Sequence, residues 1–298
     1  MKKNLIIVTG GSGFVGSNLI EYLLKKTNFK ILSLDDYSSG NKKNHINSKR
    51  VKYIKGHTKN ISQQLKKYTN KIHSLFHFGE FSRIYQSFKF MNNCIQSNTI
   101  GSNAVFDFCL KNKIKLIYSA TSASLGNRGG DKDLSPYAFT KSQNLEFLNN
   151  LKKWFNFQYE VIFFYNVYGP RQISSGKMAT VIGIFEDCFK KKKPLPVVKP
   201  GNQTRRFTHI SDTIETCFKA WKLNKCEYYS ISNKESFSIL KVAKLFKTKI
   251  IFLPARKGER YASALSNMVI RNKVNKNFGK IRLKNYINNF LKNLKNST

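Results

Sequence analysis

The stretch Leu5-Ile6-Ile7-Val8-Thr9-Gly10-Gly11-Ser12-Gly13-Phe14-Val15-Gly16 decides how this chain is read. Leu5–Thr9 is an apolar, β-branched run of the kind buried in a parallel sheet. Gly10, Gly13 and Gly16 follow at GxxGxxG spacing, and Leu19, Ile20, Leu23 and Leu24 then recur at helical spacing up to Lys26. A strand, a glycine turn and a helix in that order let the backbone approach a pyrophosphate. The helix start also aims free N–H groups and a positive dipole end at it. The turn, with Phe14 and Val15 opening the helix, is a candidate dinucleotide cradle.

Working outward, Lys30–Leu34 reads as a second strand closed by Asp35, 19 residues beyond Gly16 (35 − 16). A carboxylate at that distance suits the hydroxyls of an adenosine ribose and repels a 2′-phosphate. No arginine follows in Asp36-Tyr37-Ser38-Ser39-Gly40, so the expected cofactor is NAD rather than NADP. Val51–Ile54, Ser74–Phe78, Lys115–Ser119 and Tyr159–Phe164 read as further strands, with helices over Asn98–Leu110 and Tyr137–Leu151 between them. This alternation predicts an α/β protein, a Rossmann doubly wound parallel sheet with a smaller C-terminal substrate-binding lobe. The NAD-binding domain is expected over residues 1–166, with a returning segment near 205–232. Residues 167–204 and 233–298 are expected to form the lobe, ending in a helix near Tyr286–Leu294.

The chain has 298 residues, 41% of them hydrophobic, enough to bury a core. Met1-Lys2-Lys3 and the run after it superficially resemble a secretion signal, but the run stops at Thr9-Gly10, too short for one. A cytoplasmic protein is expected. Cys94, Cys109, Cys188, Cys217 and Cys226 match no metal spacing and are expected to be reduced and mostly buried. The 53 basic against 16 acidic residues give a net charge of +37. Such a surface attracts anions, so nucleic acid or an anionic membrane is a possible partner. The lysines are scattered along the whole chain, however, and no RNA-binding motif accompanies them. A compositional bias on solvated faces is the favoured reading.

Tyr137 precedes Lys141 by one helical turn in Ser135-Pro136-Tyr137-Ala138-Phe139-Thr140-Lys141, which puts both side chains on one helix face. A nearby ammonium and an oxidised nicotinamide both favour the phenolate, so the tyrosine is a candidate general base near neutral pH.

Together these motifs resemble the extended short-chain dehydrogenase/reductase family, the branch that holds nucleotide-sugar epimerases and dehydratases. The resemblance runs from residue 4 to about 275. It includes Phe76-His77-Phe78-Gly79, Asn98 with Gly101, Tyr118-Ser119-Ala120-Thr121 and Tyr165-Asn166-Val167-Tyr168-Gly169-Pro170-Arg171-Gln172. It continues through Gly201-Asn202-Gln203-Thr204-Arg205-Arg206-Phe207 and Arg256-Lys257-Gly258-Glu259. The resemblance implies that Thr121 bonds the reacting sugar hydroxyl, that Tyr137 is the base, and that Lys141 supports it and holds the nicotinamide ribose. It implies that Phe78, Gly79 and Asn98 line the cofactor and that Asn166, Arg205 and Arg256 contact a nucleotide diphosphate. A homodimer through the Tyr137 helix and a role in polysaccharide biosynthesis are implied in the same way.

The family's dehydratases place Asp-Glu after the catalytic threonine, whereas here Ser122-Ala123 follow Thr121. Elimination is therefore unsupported, and an NAD-dependent epimerase of a nucleotide-diphosphate sugar, acting at C4 through a 4-keto intermediate, fits best. A nucleotide-sugar reductase or dehydrogenase, a non-catalytic NAD-binding protein, or an RNA-associated protein of the same fold are the alternatives. Several positions depart from the family pattern: His57, Glu80, Leu125 before Gly126, Phe164 and Arg206. Glu80 is expected either to face outward or to put a carboxylate near the nicotinamide. His77 and His209 are expected to be packing residues, and His45 and His73 loop residues.

Overall fold

The computed structural model describes residues 3–124, 132–258 and 274–296; Leu125, Gly126 and Glu259 lie outside them. Eight strands make one sheet: β1 (Leu5–Thr9), β2 (Lys30–Asp35), β3 (Val51–Lys55), β4 (Ile72–His77), β5 (Lys115–Thr121), β6 (Tyr159–Phe164), β7 (Tyr228–Ser232) and β8 (Val274–Phe278). Their spatial order is β8-β7-β6-β5-β4-β1-β2-β3, and every neighbouring pair is parallel. All five residues of β1 are buried because both faces of the sheet are covered. Leu5 and Ile7 join one apolar layer, with Phe106 and Leu148 from the helices Ser102–Lys111 and Pro136–Phe155. Ile6 and Val8 join the other, with Leu19, Ile20, Leu23 and Ile214 from Phe14–Lys26 and Ile210–Leu223. The chain proceeds from β1 to β2 on one side and places β4 on the other. The crevice beyond the carboxyl ends of β1 and β4 is the switch point where such sheets bind ligands.

Two expectations are corrected. The helix expected from Asn98 starts earlier, as Met91–Ile95, passes through a π-helical turn at Gln96–Gly101 and continues as Ser102–Lys111. The widened turn interrupts the 3.6-residue period, which is why periodicity did not reach its first half. Val274–Phe278, expected in the lobe, instead pairs with Tyr228–Ser232 and forms an edge of the main sheet. The lobe has its own apolar centre, in which Tyr168, Phe185, Val197, Phe207, Phe237, Phe246 and Ile287 are buried. Its last helix runs Leu283–Lys295.

The helix Pro136–Phe155 starts where the sequence dictates. Ser135 accepts a hydrogen bond from the Ala138 N–H, Pro136 occupies the first turn, and Asn156 closes the other end in the left-handed conformation. All five cysteines are free thiols, with Cys94, Cys109 and Cys217 buried. Among the described residues, no helix is long and apolar enough to cross a membrane, and no cluster of three metal-ligating side chains occurs.

Candidate functional site

A cavity of about 480 Å³ runs along the carboxyl ends of the central strands and into the lobe. At its dinucleotide end Gly10 takes φ of +69°, and a Cβ there would stand 2.9 Å from the backbone of Gly79. Two loops meet so closely that only glycine fits. Gly13 stands before the helix Phe14–Lys26 without a side-chain cap, so the first N–H groups of that helix remain available at the cavity. Gly10, Gly13, Phe14, Val15, Asp35, Phe78 and Gly79 all line the cavity. Gly16 does not: a Cβ on it would come within 2.2 Å of the Gly10 oxygen, so it serves the close packing of helix against turn.

Asp35 is buried, and its carboxylate accepts hydrogen bonds from the N–H groups of Ser12 (2.9 Å) and Tyr37 (2.8 Å). Burial pushes its carboxyl above the usual range, and the two N–H groups oppose that. His57 lines the same end, its Nδ1 accepting from the Lys59 N–H at 3.1 Å. These groups fit a dinucleotide: a glycine cradle, an uncapped helix start and a carboxylate placed for a ribose.

At the reaction end, Thr121 closes β5 and Tyr137 opens its helix, and the two side chains face each other. Both line the cavity together with Lys141. Burial pushes the Tyr137 phenol up to about 12; the Thr121 hydroxyl and Arg83 pull it down, and Glu80 pushes it further up. Lys141 is buried, and its Nζ donates to Glu80, to the Ser119 carbonyl and to the Tyr118 hydroxyl (3.2 Å). Glu80 therefore faces inward, with its side chain 3% exposed.

Asn98 does not reach the cavity. It is fully buried, its Oδ1 accepting from the Phe81 N–H at 2.7 Å and its Nδ2 donating to the Phe81 carbonyl at 3.0 Å. It pins the loop that carries Glu80 instead of lining the cofactor. Asn166, Arg205 and Arg256 line the lobe side of the cavity. Asn166 adopts φ of +32° and donates to the Arg206 carbonyl at 3.0 Å, and the Arg256 guanidinium lies 5.2 Å from the Tyr85 ring centre. Arg206 turns away from the cavity and donates to the carbonyls of Asn233 (3.1 Å) and Lys234. His77 is buried as expected, between Thr9 (2.7 Å) and Ser102 (3.0 Å).

Sequence reading missed Arg83, which lines the cavity and donates from Nε to the Met178 carbonyl at 3.0 Å. No motif marks it, because its place depends on a contact 95 residues away in sequence.

The family model described as NAD dependent epimerase/dehydratase family matches residues 6–231. The chain belongs to this family. The glycine turn and the Tyr137/Lys141 pair line one cavity. Among its relatives is the ADP-L-glycero-D-manno-heptose-6-epimerase of Brachyspira hyodysenteriae, 29% identical over 260 residues, with 82% of this chain and 80% of that protein covered. The fold is that of the UDP-glucose 4-epimerase of Thermotoga maritima, solved with UDP-glucose. The two share a TM-score of 0.84 and 19% identity, covering 98% of this chain and 99% of the other. The UDP-glucuronic acid 4-epimerase of Bacillus cereus, solved with UDP-glucuronic acid and NAD, gives a TM-score of 0.80 at 23% identity over 97% and 99% of the two chains. These relatives are nucleotide-sugar epimerases.

Proposed function

We propose that this protein is an NAD-dependent epimerase that inverts C4 of a nucleotide-diphosphate sugar through a 4-keto intermediate. One observation carries the reading: Thr121, Tyr137 and Lys141 share a cavity wall with the glycine turn at one end and with Arg205 and Arg256 at the other. The dinucleotide, when bound, supplies a reversible hydride acceptor. Its family, and the fit of Gly10, Gly13, Phe14, Val15, Asp35, Phe78 and Gly79 to it, support NAD.

Tyr137 takes the proton of the sugar 4-hydroxyl as that carbon is oxidised, and returns it after reduction on the other face. The Thr121 hydroxyl, which faces the phenol, orients the sugar oxygen between them. Lys141 would hold the nicotinamide ribose from the same cavity wall. Arg205, Arg256 and Asn166 hold the diphosphate by forked and amide donors while the sugar turns over. Ser122 and Ala123 after Thr121 offer no acid–base pair, which favours epimerisation over elimination.

A homodimer accompanies this reading. Exposed Met91, Ile95 and Ile100 lie beside exposed Phe139 on the neighbouring helix Pro136–Phe155, an apolar face that a second copy would cover.

The test is incubation of the pure protein and NAD with UDP-, GDP-, dTDP- and ADP-sugars, followed by separation of the products. Interconversion of C4 epimers with no net change in NADH absorbance is expected. Inversion at C6, net NADH formation, or no conversion of any sugar would overturn the assignment.

A further inference from the structure

The carboxylate of Glu80 is built into the hydride-transfer site more firmly than an incidental side chain would be. Its Oε1 accepts from the hydroxyls of Ser102 (2.7 Å) and Tyr118 (3.0 Å) and from Asn144 Nδ2 (3.2 Å), and its Oε2 accepts from Lys141. The polarity of the chain behind it is consistent throughout. The N–H groups of Phe78 and Gly79 donate to the Thr9 hydroxyl at 3.1 and 3.0 Å. With Ser102 donating to Glu80, the neutral His77 donates from Nε2 to Ser102 and accepts on Nδ1 from Thr9. One directed line of hydrogen bonds thus joins the cofactor loop to the carboxylate that grips the lysine.

We propose that Glu80 is a positioning residue that anchors the Lys141 ammonium in the cavity wall and brings a fixed negative charge into the hydride-transfer site. This rests on the Tyr137/Lys141 reading above. A buried ammonium without a partner is costly, and the carboxylate supplies that partner before any ligand arrives. Burial pushes Lys141 down and Glu80 pushes it back up. The groups facing the pair are Tyr118 from β5, Cys94 from the helix Met91–Ile95 and His77 from β4; Thr121 and Arg83 face the Tyr137 phenol. Deleting one negative charge from this setting acts on both titrations with the same sign. It favours the Tyr137 phenolate and disfavours the Lys141 ammonium.

The experiment is Glu80→Gln, with the turnover rate and the dissociation constant of NAD each followed against pH. Both limbs of the rate profile should move to lower pH by about one unit or more. The alkaline loss of NAD affinity should move the same way. Limbs and an NAD curve that stay at their wild-type positions, with only a uniform drop in rate, would overturn the proposal. Should Glu80→Gln not fold, Glu80→Asp draws the charge back by one methylene and must shift both curves the same way by a smaller amount; unmoved curves overturn the proposal here too. NAD binding reports even from an inactive variant, so failure of Glu80 is distinguishable from failure of Tyr137 as base.

Discussion

The Thr121 hydroxyl faces the Tyr137 phenol and favours its ionised form, setting the end of a central strand against the start of the longest helix. The pair is placed by buried backbone on both sides, so removing the phenol oxygen leaves the frame intact. Tyr137→Phe should lower turnover by about a hundred- to ten-thousand-fold, the contribution of a positioned general base. Its NAD dissociation constant and melting temperature should stay near wild type. Retained turnover would remove Tyr137 from the role of base.

Because burial raises the phenol to about 12 in the ligand-free protein, its acidification depends on positive charge brought by the oxidised cofactor. Tyrosinate absorbance, taken as the difference between wild type and Tyr137→Phe, should grow in only at strongly alkaline pH without NAD. With NAD present the same signal should move to lower pH. A curve indifferent to NAD would separate the phenol from the cofactor site.

Arg205 and Arg256 line the same cavity as the glycine turn but come from the lobe. Replacing either by alanine should raise KM for the nucleotide sugar by about tenfold or more, as loss of a charge-assisted hydrogen bond implies. NAD affinity should be unchanged. Equal weakening of both ligands would indicate a collapsed lobe instead of a lost clamp.

His77 is buried and neutral, with burial lowering its titration to about 4. Its folded value lies below the unfolded one, so the stability it contributes is present above about pH 6.5. That contribution is lost as pH falls toward 4, in all about 3 kcal/mol. Urea unfolding of wild type and His77→Gln at pH 7 and pH 4.5 should show a smaller pH dependence in the variant. Parallel losses in the two proteins would contradict this.

The apolar face around Ile100 and Phe139 has a direct readout in mass. Ile100→Lys should convert a dimer to a monomer in light scattering while leaving the melting transition of the monomer intact. A monomeric wild type would dismiss the dimer.

What the sequence by itself determined was local: the buried run Leu5–Thr9, the glycine spacing after it, Asp35 at the end of the next strand, and Tyr137 one turn before Lys141. Each follows from chain geometry over fewer than 40 residues, where sterics and periodicity leave few choices. Family likeness then assigned roles and marked departures, and two of those positions depended on neighbours it could not supply. Asn98 packs against the Phe81 backbone, and Arg206 turns to the carbonyls of Asn233 and Lys234. The tertiary structure alone decided that Glu80 turns inward, because its partners Ser102, Tyr118, Lys141 and Asn144 converge from a strand and two helices. Whether a carboxylate faces water or an ammonium depends on the dielectric and donors around it, and these exist only once distant segments have packed.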